Sequence, residues 1–278
     1  MIKKVNNNNI QGTPKEDWYH KLSIQVSLNG LSFCVLNTHE QVLEVCFSER
    51  FSKQLTPFQL QQQLKERFRE KSIRKFQFSE VLTIHDNLLF SLVPQALFDS
   101  DHLANYLKYN ARMLPTDHLE YDTLSGLEIQ NVYVPYTNVN NFIFEQFGEF
   151  EFKHTNTVLL ETLIKLHGIS SETIGYIHLT TNQMDIAIFG HRNLLYFNSF
   201  AITSDTDFLY YLLFSLEQLG ENPEQFKLRL VGEITDQDSR FQLASAYFEN
   251  ISILLPPPAP FSNSDLERSI DFTLIHTL

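Results

Sequence analysis

The sequence predicts an α/β fold made of two tandem copies of one lobe, each a mixed sheet with a three-stranded meander and flanking helices. Three observations carry this. Apolar residues alternate at every second position over short segments, then recur every third or fourth, so strands give way to helices. Turn and cap residues stand where the period changes. The same order of elements also begins twice, near residue 20 and near residue 175, an offset of about 155 residues. A chain of 278 residues has room for two such lobes, each with its own core.

Residues 1–16, with four consecutive Asn and little apolar anchor, are expected to form a disordered tail, with order starting near Trp18 and Tyr19. Leu22, Ile24, Val26 and Leu28 then alternate with polar residues, as a half-buried strand requires. Asn29-Gly30 reads as a hairpin turn whose two central residues take positive φ. The return strand carries Leu31, Phe33 and Val35, and a third carries Val42, Leu43, Val45 and Phe47. Thr56 and Pro57 then open a helix as N-cap and first residue, with Leu60, Leu64 and Phe68 along one stripe. Further on, the pattern predicts a hairpin of 81–84 and 88–92 around Asp86-Asn87 and a helix opened by Ser100-Asp101. A hairpin over 118–135 around Ser125-Gly126 comes next, then a helix over 139–147, a short strand near Phe150, and a helix over 157–167 stopped by Gly168.

From Gly175 the opening pattern returns, with strands over 176–180, 184–189 and 194–200. Ser204, with Asp207 three residues on, caps a helix over 205–219 that Gly220 ends. A strand over 226–231, a helix through Phe241, Leu243 and Tyr247, and a strand over 251–255 follow. The prolines of 256–260 break that strand, and a last helix capped by Ser264 holds Leu266, Ile270 and Leu274. The expected domains are therefore 17–168, a first lobe with extra hairpins, and 169–278, a second lobe that includes the C-terminal helix.

Composition narrows the function classes. The 24 Phe against one Trp predict an aromatic core. A formal net charge of −12 speaks against nucleic acid as a partner, because phosphate binders release counterions from a basic surface. The densest basic run, 65–75, alternates in sign and reads as a solvated helix face. No apolar run reaches the ~20 residues that span a bilayer, and no signal-like segment opens the chain. A cytoplasmic protein with Cys34 and Cys46 as reduced, buried thiols is the expectation.

A βββ meander followed by αβαβ, as in YHKLSIQVSLNGLSFCVLNTHEQVLEVCF and again in IGYIHLTTNQMDIAIFGHRNLLYFNSF, resembles one ribonuclease H-like lobe. Two in tandem resemble the actin-like ATPase superfamily, in particular the actin-like proteins of bacterial pilus and secretion assembly and an uncharacterised bacterial family of that duplicated fold. In active members, the resemblance implies, the first hairpin of each lobe is a phosphate-binding loop, with an acidic residue near its start that holds Mg²⁺. Here the matching positions are Ser27-Leu28-Asn29-Gly30, without a carboxylate, and Thr180-Thr181-Asn182-Gln183, without a glycine. Gly232, in Leu230-Val231-Gly232-Glu233, matches the adenosine loop. The degenerate cofactor positions are thus Asn29, Gly30, Thr181, Asn182 and Gly232. No Lys or Arg flanks these turns in sequence, and Asp185 follows the second turn inside a strand.

No catalytic or metal-binding motif is present. His118 and Glu120, with Asp117 and Asp122 beside them, read as a solvated strand end or a cation cluster. His178 reads as a hydrogen-bonded core or cleft histidine. Asp205 and Asp207, and likewise Asp236 and Asp238, read as helix caps. The expectation is a non-catalytic scaffold or protein-binding module with a protein or peptide partner and no cofactor. The alternative is an atypical ATP/Mg-binding protein or ATPase that uses the cleft between the lobes.

Overall fold

The structure, a computed structural model, describes residues 19–108, 114, 117–124, 126–254 and 271–278. They divide into two compact units, one comprising the described residues up to Leu159 with 271–278, the other 160–254. The tail 1–16, Trp18, Ser125, the prolines of 256–260, and Ser264, Leu266 and Ile270 lie outside the described residues.

In the first unit, β1 (His20–Val26), β2 (Gly30–Asn37) and β3 (Val42–Arg50) form the expected antiparallel meander. Thr56 caps α1 (Pro57–Glu70) through a complete capping box. Its hydroxyl accepts the Gln59 N–H, and Gln59 Oε1 accepts the Thr56 N–H. The chain then returns as β4 (Phe78–His85), parallel to β1, and later adds β8 (Glu151–His154), parallel to β4. The sheet order is β3-β2-β1-β4-β8. Leu60, Leu64 and Phe68 of α1 are buried in one core with Phe33, Val139 and Phe142. Phe68 meets Phe33 edge-on at 5.1 Å, so the aromatic core is present.

The expected 81–92 hairpin does not form. β5 (Phe90–Pro94) pairs instead with β7 (Ile129–Tyr133) in a separate sheet of order β5-β7-β6, with β6 (Glu120–Leu124). Asn87 turns the chain away from β4. Its Oδ1 accepts the Leu89 N–H at 2.8 Å and its Nδ2 donates to the Val134 carbonyl at 3.0 Å. In the predicted 118–135 hairpin, Glu128 (φ 53°) takes the left-handed conformation. After the short α2 (Ala104–Leu107) come α3 (Thr137–Phe147) and α4 (Thr155–His167); the unit boundary falls within α4, ahead of the expected position 168.

The second unit repeats the plan. β9 (Ile174–Leu179), β10 (Gln183–Gly190) and β11 (Asn193–Ala201) form a meander, followed by α5 (Asp205–Leu219), β12 (Lys227–Gly232), α6 (Ser239–Ser245) and β13 (Asn250–Ile253). The sheet order β11-β10-β9-β12-β13 is that of the first sheet, strand for strand. Ser204 accepts the Asp207 N–H, and Asp207 accepts from the Thr203 N–H and hydroxyl, as capping requires. Asp238 likewise accepts the Arg240 N–H at the start of α6. Gly220, at φ 71°, ends α5. Among the described residues, no helix is long and apolar enough to cross a membrane.

The C-terminal helix α7 (Phe272–Ile275) belongs to the first unit, not to the second as its position in the chain suggested. Buried Leu274 joins Cys34, Leu36, Leu43, Leu82, Ile84 and Val158. Thr273 Oγ1 lies 2.7 Å from Gln25 Oε1 on β1. Leu274→Ala is therefore expected to cost about 2–3 kcal/mol. Hydrogen exchange should show faster opening of β1 and β2 amides and unchanged protection in β9 and β10. Cys34 and Cys46 face each other across β2 and β3 as free cysteines, with sulfurs 3.1 Å apart. The contact with Cys46 and burial both push the Cys34 thiol far up, so it stays protonated.

Candidate functional site

The first turns of the two units share the same framework of hydrogen bonds. Ser27 N–H donates to the Gly30 carbonyl at 2.9 Å and its hydroxyl to the same oxygen at 3.3 Å; Thr180 N–H and hydroxyl reach the Gln183 carbonyl at 3.0 and 3.4 Å. The third residue of each turn is Asn, and its carbonyl accepts an amide from beyond the third strand. Phe51 N–H donates to Asn29 and Ile202 N–H to Asn182, both at 2.9 Å. Ser27 and Thr180, Asn29 and Asn182, and Gly30 and Gln183 are thus equivalent.

The expected positive φ at Asn29 and Gly30 is not found. Leu28 and Asn29 are the central residues, and Gly30 opens β2, one position later than an Asn-Gly type I′ turn would place it. A methyl group on Gly30 would meet the Glu49 carbonyl of β3 at 3.1 Å, which gives the small residue a packing reason.

Each turn is braced from the strand that returns beside it. Asp86 N–H donates to Val26 at 2.9 Å in the first unit, and Glu233 N–H to Leu179 at 2.7 Å in the second. The next contact differs in chemistry but not in place. Tyr136, just ahead of α3, donates its hydroxyl to the Asp86 carbonyl at 3.0 Å, whereas Arg240 of α6 donates Nη2 to the Glu233 carbonyl at 2.9 Å. Burial, followed by the nearby Asp86 carboxylate, pushes the Tyr136 phenol well above its usual range and keeps it a neutral donor.

Arg240 was missed at the sequence level, where no Arg or Lys flanked the turns. Its Nη1 reaches the Thr180 carbonyl at 3.3 Å across 60 positions of chain. Two more of its five donors go to Asp238, Nε at 3.0 Å and Nη2 at 2.7 Å. Only the contact order of the fold could have revealed it. Thr181 is tied as well, its hydroxyl donating to Glu233 Oε2 at 2.9 Å.

Beneath the second turn, His178 on β9 and Asp185 on β10 are register partners. His178 Nδ1 donates to Asp185 Oδ2 at 2.9 Å, with side chains 5% and 2% exposed. Asp185 Oδ1 accepts Gln183 Nε2 at 2.9 Å. Gly232 lies along the ring: a methyl group there would stand 2.4 Å from the Leu179 carbonyl and 2.9 Å from His178 Cδ2. The matching pair in the first unit is Gln25 and Ser32, also register partners. His178 is therefore packed and oriented, in keeping with a hydrogen-bonded core histidine.

The structure brings Thr181 and Gly232 together through Glu233 and the β9–β12 pairing, with Asn182 at the turn tip; Asn29 and Gly30 form the equivalent turn of the first unit. The 117–122 acids do not converge. His118 Nε2 contacts Glu120 Oε1 at 2.7 Å, and Asp117 accepts the Leu114 N–H. Asp122 is buried elsewhere, accepting from the His154 N–H, the Thr157 hydroxyl and the Tyr133 hydroxyl. Among the described residues, no three His, Cys, Asp or Glu side chains stand together as metal ligands.

The profile of a family described as "Protein of unknown function (DUF3822)" matches residues 9–251. A protein with actin-like ATPase fold and unknown function from Bacteroides thetaiotaomicron VPI-5482 superposes with a TM-score of 0.76 at 22% identity, over 93% of this chain and 98% of that one. A chain of the PilM-PilN type IV pilus biogenesis complex superposes with a TM-score of 0.60 at 13% identity, over 92% of this chain and 96% of that one. The fold is that of the actin-like ATPases. No curated protein matches the sequence.

Proposed function

The chain belongs to the DUF3822 family, and on that premise we propose that it is a non-catalytic, protein-binding module of the actin-like ATPase fold. One observation carries the reading: Asp185, the carboxylate on the strand that leaves the second turn, is engaged at both oxygens by His178 and Gln183. Mg²⁺ needs open carboxylate oxygens, and triphosphate needs cationic or unpaired N–H donors. The residues present do not fit a Mg-nucleotide. Serine stands at the Asp185 position of the first unit, and the Arg240 guanidinium beside the second turn is taken by Asp238 and two carbonyls.

A protein partner is supported by the shared fold of a chain in the PilM-PilN complex, an assembly of two proteins. The charge of −12 weighs against nucleic acid. A reducing compartment, the cytoplasm, suits the free thiols of Cys34 and Cys46.

Thermal unfolding with Mg-ATP and Mg-GTP tests this. A nucleotide present at a hundredfold its dissociation constant adds about 2.7 kcal/mol of stability. The expected result is an unchanged midpoint at millimolar nucleotide; a saturable rise would overturn the reading.

A further inference from the structure

The basic run 65–75 does not behave as one solvated face. Arg67 turns to one side, where Nε and Nη2 form a fork with Glu49 of β3 and Nη1 takes Glu70. Lys65 and Arg69, one helical turn apart, lie on the other side. There, α1 and α3 flank a groove of about 830 Å³ within the first unit. Ser72, at φ 53°, turns the chain at the end of α1 and brings Arg74 and Lys75 to the same groove. Arg74 is held there by Gln146 of α3.

The floor is aromatic and closed. Phe68 and Phe142 are each 3% exposed, and Lys65 Nζ stands 5.2 Å from the Phe142 ring centroid. Among the described residues, no carboxylate forms an ion pair with Lys65, Arg69, Arg74 or Lys75; Lys75 Nζ stands 4.6 Å from the Phe76 ring centroid and reaches Glu44 only through longer-range attraction. Two carboxylates, Glu66 and Glu145, line the groove against these four cations. A local excess of positive charge in a chain of net charge −12 is thus left without carboxylate partners.

We infer that this groove docks an acidic peptide segment of a protein partner. The inference rests on the protein-binding reading above and gives the partner its chemistry. The cations are spread along the groove, Lys65 and Arg69 alone about 6 Å apart along the helix axis, so they match successive carboxylates rather than one phosphate. Single-stranded nucleic acid needs aromatic faces for its bases to stack on. Phe68 and Phe142 are too buried to offer them.

The test uses the full chain and a fluorescently labelled oligo-glutamate peptide, followed by anisotropy at low and physiological salt. Oligothymidylate serves as the competing polyanion. Binding of the peptide is expected, weakened about tenfold by Lys65→Glu with Arg69→Glu, and weakened by salt. The charge-matched variant Lys53→Glu with Lys108→Glu, at exposed positions outside the groove, should retain it. Three results would each overturn the inference: no peptide binding, equal loss in both double variants, or tighter binding of oligothymidylate. A nucleotide-induced thermal shift alongside groove-dependent peptide binding would instead remove the non-catalytic reading and leave the groove standing.

Discussion

Gly232→Ala is expected to destabilise the second unit by about 3–5 kcal/mol, one of the two largest effects anticipated for any single substitution in the chain. Two costs combine. At φ 88° the backbone of Gly232 lies where an L side chain is strained. The added methyl would also stand 2.4 Å from the Leu179 carbonyl, a backbone atom held in β9 that cannot swing aside. His178 would be pushed as well, at 2.9 Å from Cδ2, and with it the bond to Asp185. Gly126→Ala is the control, because nothing lies within 4 Å of the added atom and no positive φ is involved. Chemical denaturation of the two variants decides the matter. If Gly232→Ala is as mild as Gly126→Ala, the close approach of β12 to His178 is not what requires glycine there.

That glycine shows where sequence reading reached and where it stopped. Local signals were legible because they report local physics. The Thr56 capping box, the Ser204 cap and the Gly220 stop each correspond to an observed feature. The two-residue period of 22–28 marks β1, but that strand ends at Val26 and buries Ser23 and Gln25 as well as the apolar face, so it is not half-buried as expected. The doubled order of elements was legible for the same reason, since it is a pattern of such signals. Asn87 sends the chain into another sheet through a bond to Val134, 47 positions away, and no local pattern encodes that distance. Leu274 packs against strand residues 190 to 240 positions earlier, so chain order assigned α7 to the wrong unit. Asn29-Gly30 is a correct hairpin marker whose turn lies one residue out of phase, with Gly30 paired to β3 as the first residue of β2. Arg240 shares this distance problem: its Thr180 contact exists only once β9 and β12 are paired.

Asp185→Ala should cost about 2–4 kcal/mol, because it removes the acceptor of two hydrogen bonds, one of them from a buried histidine. His178 Nδ1–H and Gln183 Nε2 would both lose their acceptor, and the His178 side chain is only 5% exposed, so water cannot readily replace it. The sign of the effect separates the two functional readings more sharply than its size. A carboxylate kept for holding a metal sits at a cost in the unliganded protein, and replacing it commonly stabilises. A carboxylate kept for packing and hydrogen bonding can only destabilise when removed. Asp185→Asn refines the comparison, since its amide oxygen can still accept from His178 while its NH₂ would face the Gln183 NH₂. It should therefore fall between wild type and alanine in denaturation midpoint. A midpoint above wild type for either variant would mark Asp185 as a residue retained for ligand chemistry, and would bring the second turn back as a nucleotide site.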